Sequence, residues 1–464
     1  MHDAVIVVPG IMGSTLEDIN TGKTLWGVGE LFKYTARMHA DRLRSLAVTE
    51  EERSGQLARV KATGLLNIAD WLPGLGGMQP YGQIVRRMRQ NALHKDAVST
   101  FPYDWRLSVA HNGVLLRRAA RAHLDAWRSH HAHQEHRARN PESGPARLLF
   151  VAHSMGGLLV RELLRFEDVR DDIRAVLTAG TPFHGSVKAA VMLNSGVGAP
   201  VPVDPDLLRA VAPTMPGLYD LLPSYRSLDD GTDMRAPDLQ DIVALGGNAD
   251  LAQASLDWRR QRLSGFSLPG HSMVLGYGHR TLQSYRMTSS GAVGQEYVYM
   301  RDGGRVLKKQ DGSPRREDRR GDGTVYQFAA HDRGSDAKPI EIRQEHGALV
   351  RSSTVVELAA GMLRGLSHPS QLPDMLGEGE IGLEVPEWAP LGGPFDITVT
   401  GWDGDALPTC VLREVGSGAV RPVILRPGDG TATAECLLHE PGLYEVEVTG
   451  GREPAYRLVL VVER

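Results

Sequence analysis

Residues 147–161, Arg-Leu-Leu-Phe-Val-Ala-His-Ser-Met-Gly-Gly-Leu-Leu-Val-Arg, constrain this chain more than any other stretch. An apolar run of strand type, residues 148–152, reaches Ser154 and is followed by helix-period spacing that puts Leu158, Leu159, Leu163 and Leu164 on one face. A strand, a tight turn and a helix with a serine at the apex make a nucleophile elbow, whose strained turn tolerates only small residues two before and two after the serine. Here these are Ala152 and Gly156. The turn lifts the Oγ clear of the sheet edge and leaves the helix N-terminus, with its unpaired N–H groups, behind the place where an oxyanion would form. Small-x-Ser-x-Gly alone is common by chance; the strand before it and the helix after it give it weight.

The elbow predicts an α/β chain of α/β-hydrolase type with a mostly parallel central sheet, and the remaining segments fit it. Residues 4–8 read as a first strand running into Pro9-Gly10-Ile11-Met12-Gly13-Ser14, a turn that can aim the Ile11 N–H into the cleft. Within residues 24–78, Trp26 and Trp71 stand at apolar loop tips, which can mark lipid, membrane or partner contact although most such residues turn out packed. Helices are expected over 81–93 and 112–129, and strands over 98–101, 173–177, 272–275 and 340–342. A hairpin is expected across residues 302–304, a closing helix over 353–366, and a cap over 187–270, where no strand-helix alternation is visible. His130, His131, His133 and His136 sit among Gln, Glu and Arg and read as a solvated helix end; no metal or cofactor is expected.

Beyond residue 370 the pattern changes to short alternating runs every 8–12 residues, the signature of an all-β immunoglobulin-like sandwich. The expected domains are therefore 1–370, catalytic, and 375–464, the sandwich, a possible docking module for a protein partner. Pro441-Gly442-Leu443-Tyr444 is placed to make a tyrosine corner. A net charge of −4 without long single-sign runs offers no nucleic-acid footprint. No apolar stretch approaches the roughly 18 residues of a membrane span. With only Cys410 and Cys436 and no signal segment, a reducing, cytoplasmic setting is expected, with peripheral contact at the inner face of the membrane.

A serine hydroxyl needs a neutral imidazole to take its proton and a carboxylate to fix that imidazole. In this fold they follow in the order Ser, acid, His, which Ser154, Asp322 and His346 satisfy, each on a loop after an expected strand. Asp322 alone, in Gly321-Asp322-Gly323, could equally be a turn former. Asp104 comes too early and is expected to pair with Arg106 or cap the next helix. His184 is too early for the closing base, and His153 should face away from the cleft, because neighbours on a strand alternate.

Taken in order, Pro9-Gly10-x-x-Gly13-Ser14, Pro102-Tyr103-Asp104-Trp105-Arg106, Ala152-His153-Ser154-Met155-Gly156-Gly157, Gly180-Thr181-Pro182-Phe183-His184-Gly185, Leu221-Leu222-Pro223-Ser224, Gly321-Asp322-Gly323-Thr324-Val325 and Glu345-His346 resemble the lecithin:cholesterol acyltransferase family, which includes lysosomal phospholipases. The resemblance covers about residues 4–366. It implies a serine lipid-acyl hydrolase or transacylase with Ser154 as nucleophile, Asp322 as acid and His346 as base, and oxyanion donors at Ile11 and Met155. Met12, Phe183 and His184, beside these groups, are expected to contact substrate. Departures are the lack of a signal and of any cysteine before 410, the added sandwich, and Ile11 where the lysosomal enzymes carry an acidic residue; the pattern looks more like an intracellular bacterial branch. The expected activity is lipid acyl-ester hydrolysis or O-acyl transfer. The alternatives are an esterase or thioesterase for soluble or protein substrates and a catalytically silent scaffold.

Overall fold

A computed structural model describes residues 2–27, 44–55, 59–66, 81–199, 205–262, 267–365, 381–386, 388–401, 406–415, 417–428, 430–451 and 454–462. Its centre is a six-stranded sheet built from β1 (Ala4–Val8), β2 (Val98–Thr100), β3 (Leu148–His153), β4 (Ile173–Ala179), β5 (His271–Gly276) and β6 (Ile340–Ile342), in the spatial order β6-β5-β4-β3-β1-β2. Every neighbouring pair is parallel. The strands are near-continuous apolar runs because both faces are covered. Ala4, Ile6, Val8, Leu148, Phe150 and Ala152 point into one apolar core, and Val5, Val7, Leu149 and Val151 into the other. Helices α2 (Val109–Ser129) and α3 (Met155–Glu162) cover the first face; α1 (Gly82–Asn91) and α4 (Ser353–Leu363) cover the second. Serines set two helix starts: Ser108 Oγ accepts the His111 N–H, and Ser352 Oγ the Val355 N–H.

Strand order decides where chemistry can sit. From β1 the chain steps outward to β2, jumps back over β1 to β3, and then proceeds the other way through β4, β5 and β6. The loops leaving β1 and β3 therefore diverge, opening a crevice at the carboxyl ends of these two neighbours. Ser154 follows β3, and the Pro9–Ser14 turn follows β1. This is the α/β-hydrolase arrangement expected from the elbow.

The expected central strands and flanking helices all form, with ends shifted by a few residues. The described residues between 187 and 270 contain more helix than the sequence suggests: Val187–Ser195, Pro205–Val211, Leu239–Ala244 and the 14-residue Ala249–Arg262. The last carries polar residues on most positions, so periodicity did not reveal it. The hairpin across 302–304 is only two residue pairs long, Arg301–Asp302 against Arg305–Val306, and a longer hairpin, Ser284–Thr288 with Gly291–Gln295, precedes it.

After residue 381 the chain forms β7 (Gly382–Glu384), β8 (Trp388–Pro390), β9 (Pro394–Thr400), β10 (Thr409–Glu414), β11 (Val420–Val423), β12 (Arg426–Gly428), β13 (Thr431–Leu437), β14 (Gly442–Thr449) and β15 (Ala455–Val462). They pair as two sheets, β7-β9-β13-β12 and β8-β15-β14-β10-β11. Leu383, Ile397 and Ala432 of one sheet share a core with Cys410, Val446 and Val459 of the other. The expected alternating runs thus fold as an all-β sandwich. Tyr444 makes the expected corner, its O–H donating to the Glu440 carbonyl at 3.0 Å. Cys410 and Cys436 are unpaired. The expected boundary between the two domains, residues 370–375, lies outside the described residues.

Candidate active site

At the apex of the turn after β3, Ser154 adopts φ 50°, ψ −128°, a conformation that non-glycine residues rarely take. The turn is that tight because α3 starts immediately against the β1 loop: a side chain on Gly156 would collide with the carbonyls of Val8 and Pro9. Gly10 presses on the serine from the other loop, and a Cβ there would lie 2.8 Å from Ser154 Cβ.

Three loops from three different strands meet at this serine. His346 Nε2 lies 2.8 Å from Ser154 Oγ, and His346 Nδ1 lies 2.7 Å from Asp322 Oδ2. All three side chains are buried. Because Asp322 is a carboxylate, Nδ1 is the ring nitrogen that carries the proton, which leaves the Nε2 lone pair facing the serine hydroxyl. Asp322 Oδ1 takes the N–H groups of Thr324 at 2.9 Å and Val325 at 2.6 Å. Burial alone would raise the Asp322 carboxyl. His346 and these two amides more than offset that and hold it below the usual carboxylate range.

The Ile11 N–H, in the turn after β1, and the Met155 N–H, the first of α3, donate to no protein acceptor among the described residues. The first lies on the β1 loop and the second directly follows Ser154, with the α3 dipole behind it. The β1 loop is fixed from several sides. The Gly10 N–H donates to Tyr81 Oη at 2.8 Å, Tyr103 O–H to the Pro9 carbonyl at 3.1 Å, and Trp26 Nε1 to the Met12 carbonyl at 2.9 Å. Ser14 accepts the Tyr103 N–H on Oγ and Trp105 Nε1 on its carbonyl. The sequence offered the Pro102–Arg106 block only as a pattern; its aromatic residues brace the β1 loop, a role no local spacing signals. Asp104 pairs with Arg106 at 2.7 Å, as expected, and that guanidinium also reaches Glu52 at 2.9 Å.

His153, expected to pack away from the cleft, is tied by hydrogen bonds to two neighbouring loops. Its Nε2–H donates to the His346 carbonyl at 2.9 Å while Nδ1 meets Tyr81 Oη at 2.9 Å. Burial and the neighbouring His346 push its pKa down to about 3, so the ring is neutral.

Trp26 corrects an expectation. It is fully buried, edge-on to Trp105 at 5.3 Å, because the short strand Thr24–Trp26 pairs with Ser14–Asp18 and folds the indole against the β1 loop. It is therefore no membrane-contacting tip; Trp71 lies outside the described residues. Phe183 is a second correction: its buried ring packs against the Arg161 guanidinium at 5.5 Å, at the end of α3 remote from Ser154, and against His271. Met12, with φ 60°, sits in the same apolar cluster as Met155. His184 is half-buried near Phe328, its pKa pushed down to about 4 by burial and by Arg333. Among the described residues, one side-chain group has metal-ligand spacing, His94, Asp96 and His130, and both imidazoles already use Nδ1 to accept a helix-capping N–H. His133, by contrast with the expected solvated helix end, is buried. No helix among the described residues is long and apolar enough to cross a membrane.

Residues 24–240 match the family model for lecithin:cholesterol acyltransferase. No curated protein sequence matches the chain. Among solved structures, a chain of the Tle4–Tli4 complex is similar over 80% of this chain and 99% of its own, with 14% identity and a TM-score of 0.44. The lipase BlEst2 of Bacillus licheniformis, in its propeptide form, is similar over 98% of this chain and 74% of its own, with 11% identity and a TM-score of 0.32. Likenesses at these scores add nothing to the strand order described above.

Proposed function

We propose that this chain, whose residues 24–240 match the family model for lecithin:cholesterol acyltransferase, is a serine-dependent lipid acyl-ester hydrolase or O-acyltransferase that works through an acyl-enzyme on Ser154. The observation that carries this reading is the unbroken chain of hydrogen bonds from Ser154 Oγ through His346 to Asp322, set beside two unpartnered backbone N–H groups. In the first step Ser154 Oγ attacks the ester carbonyl as its proton passes to His346 Nε2. The oxyanion rests on the Ile11 and Met155 amides, and Asp322 steadies the imidazolium. His346 then gives the proton to the departing alcohol. In the second step water or another alcohol loses its proton to His346 and attacks the acyl group, and His346 returns that proton to Ser154 Oγ as the acyl–oxygen bond breaks. Met12 and His184 are the side chains assigned to substrate contact. Two unpaired cysteines fit a reducing, cytoplasmic setting, with the substrate reached at a membrane face.

The test is product analysis of mixed phospholipid vesicles, with and without a long-chain alcohol, incubated with the wild type and with Ser154→Ala. Free fatty acid or a new ester should appear only with the wild type; identical products from both proteins would overturn the proposal. The burial of Trp26 removes one of two expected membrane tips and so favours, as the second reading, an esterase or thioesterase for soluble or protein-borne substrates. Turnover of a soluble ester that does not rise in the presence of vesicles would select it.

A further inference from the structure

The sandwich sits against the loops after β5 and β6, which carry Asp322 and His346. Arg343 Nη2 approaches Thr400 Oγ1 of β9 at 3.5 Å, and the Arg351 guanidinium lies over the Tyr456 ring of β15 at 5.0 Å. Between these contacts Arg457, also on β15, donates from Nε to Glu345 Oε1 at 2.6 Å. Glu345 is buried and immediately precedes His346. Its backbone carbonyl accepts the N–H groups of Ala348 and Leu349, which fixes the loop at the base. The same guanidinium lies against the other loop: a Cβ on Gly323, next to Asp322, would fall 3.1 Å from Arg457 Nη2. The two loops are themselves joined, the His346 N–H donating to the Asp322 carbonyl at 2.9 Å.

We propose that the sandwich completes the active site, with Arg457 as a positioning residue that holds His346 and Asp322 in register through Glu345 and the Gly323 turn. This rests on the serine acyl-ester reading above. The physical reason is that a buried carboxylate is tolerated only when it is paired. Burial drives the Glu345 carboxyl up to about 7 even with Arg457 pulling it down. The other groups around it do not replace that partner. His279 Nδ1 stands 3.8 Å away, and burial with nearby Arg457 pushes its pKa down to about 3; Lys188 and Arg351 add positive charge that pulls on the carboxyl less than Arg457 does. Without Arg457, Glu345 must take up a proton or swing toward water, and either change moves the residue bonded to His346. No signal in the sequence links Arg457 to the triad, because they lie more than a hundred residues apart in separate patterns of hydrophobic alternation.

The test uses the full chain as wild type, Arg457→Gln, Arg457→Lys, Glu345→Gln and the Arg457→Gln/Glu345→Gln double variant. Active sites are titrated with a fluorophosphonate, and turnover of a soluble p-nitrophenyl ester is expressed per titrated site. Arg457→Gln should lose roughly 10-fold to 100-fold in kcat per titrated site with KM nearly unchanged, as displacement of a catalytic group by a fraction of an ångström does. Arg457→Lys should recover part of the loss, because it keeps the charge and loses the fork. The double variant should be no worse than the worse single one, because both act on one contact. Wild-type kcat per site in Arg457→Gln, Arg457→Lys and Glu345→Gln would overturn the proposal, as would a loss confined to the number of titratable sites, which marks a merely structural anchor. Failure of the wild type to be titrated at Ser154 would sink the serine reading itself, a result distinct from either.

Discussion

His153 and His346 are joined by one hydrogen bond, from the Nε2–H of the first to the backbone carbonyl of the second, at 2.9 Å. A carbonyl only accepts, so this contact fixes the tautomer of His153: Nδ1 must receive the Tyr81 O–H, and Tyr81 Oη in turn receives the Gly10 N–H. The residue beside the proposed nucleophile thereby ties the loop that carries His346 to the loop that carries Gly10 and Ile11.

Tyr81→Phe removes the middle of that relay and leaves the Gly10 N–H and His153 Nδ1 buried without partners. Leaving a buried polar group unsatisfied costs about 1–3 kcal/mol, and the variant should lose roughly that in unfolding free energy. Its kcat should also drop, by about 10-fold or more, because Ile11 shares the loop with Gly10. Urea unfolding with steady-state kinetics measures both, and an unchanged kcat would show that the relay does not reach the oxyanion donors.

The neutral His153 also sets a pH dependence. Its pKa is about 3 in the folded chain, held down by burial, against an ordinary 6.5. The unfolded chain therefore binds the extra proton first as pH falls, so the stability from burying this ring is complete above pH 6.5 and drains away toward pH 3. Between pH 6.5 and 5 this amounts to roughly 2 kcal/mol. A His153→Gln variant, with nothing to titrate, should be less stable at pH 7 and should show a shallower decline on acidification. Urea midpoints at pH 5 and pH 7 test this; equal slopes in both proteins would contradict it.

Trp26 should behave as core. Replacing it with Ala deletes a fully buried indole and the hydrogen bond that holds the Met12 carbonyl, at a cost of roughly 3–5 kcal/mol. The melting temperature of Trp26→Ala should fall, while sedimentation with phospholipid vesicles should stay at the wild-type level whenever the protein is folded. Loss of vesicle binding at an unchanged melting temperature would return Trp26 to the surface.

The parts legible in the sequence were those that local physics writes locally. Ser154 announced itself because a strained turn between strand and helix demands Ala152 and Gly156. Asp322 and His346 followed because parallel strands deliver successive loops to one edge. The sandwich strands were legible because their period of two changes the texture of the sequence at residue 370. Trp26 and Phe183 misled because an apolar residue beside glycine or proline reads the same whether its loop folds in or out. Tyr81 and Arg457 carried no signal, and Tyr103 and Glu345 only that of the short blocks they belong to, since each touches the site through a partner made adjacent only by the assembled sheet or by the docked sandwich.

The central claim is that Ser154 is the nucleophile, and covalent labelling tests it most directly. A fluorophosphonate added to the folded wild-type chain should give one adduct per molecule, mapped by peptide mass spectrometry to Ser154. Labelling should be absent from Ser154→Ala and slowed by about 10³-fold or more in His346→Ala, where no base remains to take the serine proton. An adduct that persists in Ser154→Ala, or that maps to another residue in the wild type, would contradict the account.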